Sequence, residues 1–175
     1  MIRQTLQFRQ IVRDYSERIG QTARRILGND QDAEEVLQDV LLKVYRALDE
    51  FKGESEMSTW IYRITINTCI SFRRKAPRPE VSWDDHSVLE EISGSANDPE
   101  ELYLQTEARE RAVELTALLA DKESQAVTLF YLEEMDYKEI GEIMGIPVGS
   151  VATILHRGRL HLHLLFLRDE KENLR

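Results

Sequence analysis

Through most of this chain apolar residues recur every three or four positions, and no stretch shows sustained two-residue alternation. The first pattern spells helices; the second would have spelled strands. Phe8, Ile11, Val12, Tyr15, Ile19, Ala23, Ile26 and Leu27 form a stripe down one helical face. "GND" at 28–30 reads as a stop and a restart, with Asp30 or Asp32 as the next cap. A second stripe follows in Ala33, Val36, Leu37, Val40, Leu41, Val44, Tyr45 and Leu48. "STWIYRITINTCISFRRK" (58–75) is a third helix, with Ser58 as cap and Ile61, Ile64, Thr68 and Phe72 turned inward. The expected fold class is all-α.

After residue 75 the texture changes. "APRPEVSWDDHSVLEEISGSANDP" holds three of the four prolines, several acids, and Ser and Gly, so 77–98 reads as a flexible acidic linker. Helices resume near Pro99, which suits a first helical turn, and are expected over roughly 99–120, 122–134, 136–145 and 148–167. The organisation is therefore two small helical domains, 1–76 and 99–175, on either side of the linker. Units of fewer than about 80 residues bury a limited core, and a partner often settles their arrangement.

In 175 residues, 42% hydrophobic and 31% charged, the composition is that of a globular chain. A single cysteine, Cys69, excludes an internal disulfide and fits a reducing compartment. No long apolar run opens the chain or occurs later, so a cytoplasmic location without membrane contact is expected. The formal charge of −9 would by itself count against nucleic acid, but the charge is segregated. Residues 52–79 carry Lys52, Arg63, Arg73, Arg74, Lys75 and Arg78 against Glu54 and Glu56, a net of +4. Residues 80–123 carry thirteen acids against Arg109, Arg111 and Lys122, a net of −10. Residues 151–168 contain three arginines and no acid. Basic islands of this kind are the electrostatic footprint of phosphate binding.

The strongest local motif is "DYKEIGEIMGIPVGSVATILHRGRL". A short helix ends at Gly145, Ile146-Pro147 turns, and a second helix starts near Val148 or Ser150. Gly141 lets the two approach, and Ile140, Met144, Ile146, Val151 and Leu155 supply a shared core. That is the layout of a helix-turn-helix, whose second helix enters the DNA major groove. An ordinary helical hairpin would share the glycine turn; the trailing Arg157 and Arg159 favour DNA.

In the third helix, Trp60, Arg63, Asn67, Ser71 and Arg74 share a face opposite the isoleucines. Arginines neutralise phosphate, Asn reads a base edge, and an aromatic stacks on an unpaired base. A Trp packed in the core beside a solvated basic tail would give the same pattern, so both readings are open on the residues alone. Glu35, Gln38, Asp39 and Leu42 form the outward face of the second helix, a protein-docking surface only if the exposed leucine has a partner. His156, His161 and His163 lie near one another without a Cys or carboxylate at ligand spacing, so phosphate or solvent contact is expected ahead of zinc. Cys69 reads as a small packed residue. No nucleophile–base pair or phosphate-cradling glycine loop is present, so neither catalysis nor a cofactor is expected.

Two stretches carry a resemblance. "DAEEVLQDVLLKVYRALDEFKGESEMSTWIYRITINTCISFRRK" resembles regions 2.2 to 2.4 of a bacterial sigma factor of the extracytoplasmic-function type, and "YKEIGEIMGIPVGSVATILHRGRLHL" resembles its region 4.2. The resemblance spans nearly the whole chain. It implies a dissociable specificity subunit of RNA polymerase, not an enzyme by itself, with core polymerase (β′ and β subunits) and promoter DNA as partners and an anti-sigma factor as regulator. Glu35, Gln38, Asp39 and Leu42 would dock on the β′ clamp helices. The loop at 52–58 would hold a flipped base of the minus-ten element, which Lys52, Ser55, Ser58, Trp60, Arg63, Asn67, Arg73, Arg74 and Lys75 would meet. Ser150, Ala152, Thr153, His156, Arg157 and Arg159 would read the minus-thirty-five element.

The chain departs from the family in its recognition helix. Ala152, Thr153 and Ile154 stand where basic residues are usual, Gly158 replaces an alanine, and "LADKESQAV" lacks the expected arginine. Fewer phosphate contacts follow, and Ile154 is available to a thymine methyl or to a partner. The rival readings are a stand-alone helix-turn-helix regulator that binds duplex DNA without polymerase, and an interaction protein whose DNA surface has decayed.

Overall fold

Seven helices and two tighter or wider turns make up the described part of the chain, and no strand occurs among those residues. The computed structural model describes residues 2–75 and 106–173. The expected linker at 77–98 and the expected helix start at Pro99 lie outside them.

The N-terminal half is a three-helix unit. Helix α1 (Ile2–Leu27) buries Ile11, Ile19, Ala23, Ile26 and Leu27 from its predicted stripe and ends on Arg24 and Arg25, cations that suit the carboxyl end of a helix dipole. Gly28 (φ 77°) closes it, its N–H bonding to the Arg24 carbonyl at 2.7 Å. Helix α2 (Asp30–Ala47) is capped by Asn29, which accepts from the Asp32 N–H at 2.8 Å, and not by Asp30 or Asp32. An amide one residue earlier satisfies the first free N–H, and the two acids become favourable first-turn charges. Val36, Val40 and Val44 are fully buried, whereas Tyr45, predicted inward, is 37% exposed and packs edge-on against Phe8. Leu48–Glu50 is a 3-10 turn. Helix α3 (Met57–Lys75) starts one residue before Ser58, which therefore lies within its first turn and not at the cap. It buries Ile61, Tyr62, Thr65, Ile66, Thr68, Cys69 and Ile70. Ile64 and Phe72 lie partly buried at its margin.

The C-terminal half contains α4 (Thr106–Thr116), α5 (Asp121–Val127), α6 (Tyr137–Met144) and α7 (Val148–Asn173). The single helix predicted at 122–134 is interrupted. After Val127 it widens into a π turn (Thr128–Leu132), with the Glu133 N–H reaching back to the Thr128 carbonyl at 3.2 Å. Glu134 follows in the left-handed region (φ 55°), a conformation that costs a non-glycine residue about 1–3 kcal/mol. Helix α6 opens with a capping box, Asp136 accepting from the Glu139 N–H at 2.8 Å while Glu139 accepts from the Asp136 N–H at 2.9 Å. Gly145 (φ 66°) ends it, and a Cβ on Gly141 would stand 3.0 Å from the Ile146 carbonyl. The predicted glycine turn is thus present for the predicted reason. The core it brackets is Ile140, Ile143, Val151 and Leu155, with Met144 and Ile146 only partly buried. Helix α7 runs past the predicted 167, because Leu162, Leu164, Leu165 and Phe166 are buried and Arg111 of α4 pairs with Asp169 near its end.

One apolar cluster runs without a break from α1–α3 into α4–α7, with α4 packed on α1 and α6 packed on α3. Cys69 lies in this cluster, and burial pushes its thiol up to about 12, so it stays protonated and inert near neutral pH. His161 and His163 are also buried, which overturns the expectation that they meet phosphate or solvent.

Candidate nucleic-acid interface

The loop that leads into α3 and the first turns of that helix enclose an open pocket of about 410 Å³, walled by Phe51, Lys52, Glu54, Ser55, Trp60 and Arg63. Gly53 (φ 71°) gives the loop its turn, and Phe51 packs on Trp60 with ring centres 5.0 Å apart. Trp60 is half-buried, one side on Phe51 and the other open to the pocket wall, so it is both packed and available. Lys52 is exposed, and Ser55 and Ser58 are half-buried. Further along the same face Asn67, Ser71, Arg74 and Lys75 are exposed, and the Ser71 hydroxyl donates to the Asn67 carbonyl at 2.7 Å. The pattern of one polar face on α3 is therefore real in three dimensions.

Two of its arginines stand in unexpected company. Arg63 donates to the Glu142 carbonyl at 2.9 Å and lies 3.6 Å from the Glu142 carboxylate, so a residue of α6 closes the pocket from the far side. Arg73 is only 8% exposed. It donates to the Leu119 carbonyl at 2.9 Å and the Ile26 carbonyl at 3.4 Å, and pairs with Asp121 at 3.3 Å. Arg74, largely exposed, reaches the other oxygen of Asp121 at 3.7 Å. Sequence spacing placed Arg63, Arg73 and Arg74 in one basic set; the fold separates a buried clasp, Arg73, from two surface cations.

On α7, Ala152, Thr153, His156 and Arg157 are exposed on one side, with Ser150, Ile154 and Arg159 half-buried beside them. Val148 is 47% exposed at the start of the helix. Arg157 is held 3.4 Å from Glu123, whose other oxygen lies 2.8 Å from His161 Nδ1. Arg159 donates to the Tyr131 hydroxyl at 3.4 Å. Both cations thus fold back on their own half of the molecule, leaving small and apolar groups outermost. Gly158 permits this: a Cβ there would stand 2.8 Å from Val127 Cγ2, so only glycine lets α5 and α7 come so close.

The third surface is the outer side of α2. Glu35, Gln38, Asp39 and Leu42 are all exposed, at positions that share a helical strip, and Leu42 is 45% exposed. Gln38 donates to Glu34 at 3.3 Å and Asp39 pairs with Lys43 at 3.3 Å, contacts within the helix that leave the strip open.

Comparison with known proteins agrees in both halves. Residues 11–78 match Sigma-70 region 2, and residues 109–162 match Sigma-70, region 4. The chain is 34% identical over 158 residues to the ECF RNA polymerase sigma factor SigW of Bacillus subtilis, covering 87% of this chain and 84% of that protein. It is 32% identical over 162 residues to the ECF RNA polymerase sigma-E factor of Escherichia coli K12, covering 87% and 82%. In fold it is similar to the sigma factor RpoE in complex with the anti-sigma factor NepR from Bartonella quintana, at a TM-score of 0.67 and 20% identity over 91% of this chain and 96% of that one. It is likewise similar to CnrH in complex with the cytosolic domain of CnrY, at a TM-score of 0.65 and 21% identity over 93% and 88%.

Proposed function

This chain belongs to the extracytoplasmic-function group of the sigma-70 family of RNA polymerase sigma factors, and on that premise we propose how its surfaces divide the work. It is an alternative sigma factor that binds core RNA polymerase and directs initiation at particular promoters. The observation that carries this reading is the pairing, in one chain, of a pocketed polar face on α3 with a glycine-turned helix-turn-helix.

In the division we assign, the α2 strip of Glu35, Gln38, Asp39 and Leu42 docks on polymerase. The pocket of Lys52, Ser55 and Trp60 receives an extruded base of the minus-ten element. Ser58, Arg63, Asn67, Arg74 and Lys75 line the strand-separation site, with Arg73 beneath them. The α7 face of Ser150, Ala152, Thr153, His156, Arg157 and Arg159 meets the minus-thirty-five duplex. Extruding a base costs a few kcal/mol, and stacking on an aromatic returns ~1–3 kcal/mol. With two exposed arginines on α3 and a mostly apolar α7 face, the chain by itself holds promoter DNA weakly, and polymerase supplies the rest by fixing both halves at the right spacing.

The chain catalyses nothing in this scheme; bond formation belongs to polymerase. No described helix is long and apolar enough to cross a membrane, which suits action beside the nucleoid. Control by an anti-sigma factor completes the proposal, supported by the folds of RpoE and CnrH, each solved with a bound partner.

Run-off transcription with sigma-free core polymerase on a fragmented genomic library tests the whole scheme. Discrete transcripts that disappear with Gln38→Ala/Asp39→Ala are the expected result. Duplex binding by the free protein with no transcripts from polymerase would hand the function to a stand-alone regulator.

A further inference from the structure

The most heavily buried polar contact between the two halves belongs to neither DNA surface. Glu133, just after the π turn, projects its carboxylate into the N-terminal half, where the side chain is only 4% exposed. Arg25 Nη1 donates to its Oε1 at 2.7 Å, and Thr22 Oγ1 lies 2.7 Å from the same oxygen. The Tyr62 hydroxyl donates to Oε2 at 2.6 Å. Arg25 also donates to the Leu132 carbonyl at 3.3 Å, and Arg18 stands 5.9 Å over the Tyr62 ring. Both carboxylate oxygens are therefore satisfied by side chains of α1 and α3.

We propose that the free protein closes on itself through a polar latch at Glu133, which seats the C-terminal half over the DNA-facing side of α3 and masks the promoter-binding surfaces until the halves part. Four observations converge on it. The backbone is specially shaped to deliver the carboxylate, by a π turn before it and a left-handed Glu134 after it. The receiving site is preassembled from three donors on two helices, and burial together with the Glu133 contact pushes the Tyr62 hydroxyl well above the usual tyrosine range, which keeps it a donor. Closure sets acids of the C-terminal half against cations of the candidate DNA face: Glu142 on Arg63 at the pocket mouth, Asp121 on Arg74. In those places a carboxylate occupies what a phosphate would need. Closure also lays α6, the first helix of the helix-turn-helix, along α3.

A buried charge pair is strongly sensitive to loss of one partner. Glu133→Gln removes the charge while keeping the shape, and is expected to shift the closed–open balance toward open on the order of 10²- to 10³-fold. Tyr62→Phe removes a single hydrogen bond, with a smaller shift in the same direction.

The masking role rests on α3 and α7 being the DNA-facing helices, so two readouts are paired on the full chain. Small-angle X-ray scattering of the wild type should give a radius of gyration near ~16 Å, as for any compact chain of this length, and a clear rise in Glu133→Gln. Binding of the polymerase-free protein to a fluorescent promoter fragment should strengthen ~10-fold or more in Glu133→Gln and less in Tyr62→Phe, with helical circular dichroism unchanged. A wild type already extended, or a Glu133→Gln and Tyr62→Phe pair as compact as the wild type, would overturn the latch. Opening without any gain in DNA binding would keep the latch but refute masking, and with it the DNA-face assignment.

Discussion

Two buried glutamates in the C-terminal half are held in opposite ways. Glu123, in the first turn of α5, takes His161 at 2.8 Å and Arg157 at 3.4 Å, both from α7. Its bonds stay inside one half and tie the recognition helix to its support. Glu133, ten residues on, takes all its partners from α1 and α3. The carboxylates are equally hidden, at 5% and 4% exposed, and each is stabilised by cations or hydroxyls around it. What differs is the event that breaks them. Losing the Glu123 contacts requires α5 to leave α7, which is unfolding. Losing the Glu133 contacts requires only that two halves separate, each with its own helices intact. Burial of a charge therefore reports the location of a cooperative boundary only when its partners are traced.

The largest test of that contrast is Glu123→Ala. It strands His161 and Arg157 and should cost about 3–5 kcal/mol, seen as a fall in the melting midpoint of the C-terminal half. Glu133→Gln should leave the midpoints of the halves nearly in place while splitting one calorimetric transition into two. If both variants melted alike, the distinction between an internal and an interdomain acid would fail. Next in size is Gly158→Ala. The new methyl meets fully buried Val127, whose β-branched side chain has little room to move, so a loss of about 1–3 kcal/mol is expected in urea unfolding. Tolerance of that methyl would mean that α5 and α7 are less tightly coupled than Glu123 implies.

Trp60→Ala sharpens the contrast from the functional side. It should reduce promoter opening by roughly 5- to 150-fold through lost stacking while polymerase binding persists, measured by permanganate reactivity of the melted strand. The smallest effect belongs to a third carboxylate, Asp169, at the surface. Its hydrogen bond from Arg111 holds its pKa below the ordinary value. A depressed acid contributes stability above its unfolded pKa of about 3.9, and that contribution disappears as pH falls through the lower folded value. Arg111 is exposed, so Arg111→Ala should cost only about 0.2–1 kcal/mol near neutral pH and nothing once the acid is protonated in both states, read from acid-unfolding curves.

Much of the architecture was legible from neighbours in sequence. The stripes of α1 and α2, the polar face of α3 and the turn at Gly145 depend on spacings of three or four residues and on one residue's φ, which a sequence displays directly. Where local reading slipped, a competing local interaction had won. Asn29 displaced Asp30 and Asp32 as cap because its amide meets the Asp32 N–H, and Tyr45 kept an exposed edge by leaning on Phe8. The interruption of α5 by a π turn left no comparable trace, since "TLFYLEE" is ordinary helical text.

The sequence by itself determined that this chain is helical, that its second half holds a helix-turn-helix and that α3 is polar on one side, because each of those facts is set within a few residues along the chain. Tertiary structure alone decided that Arg73 is a buried clasp, that His161 and His163 face the core, and that Glu133 locks one half to the other. Glu133 meets Tyr62 across 71 positions and Thr22 across 111, and Arg73 meets Leu119 across 46. Contacts at such separations are chosen by how packed surfaces meet in space, which no local periodicity encodes.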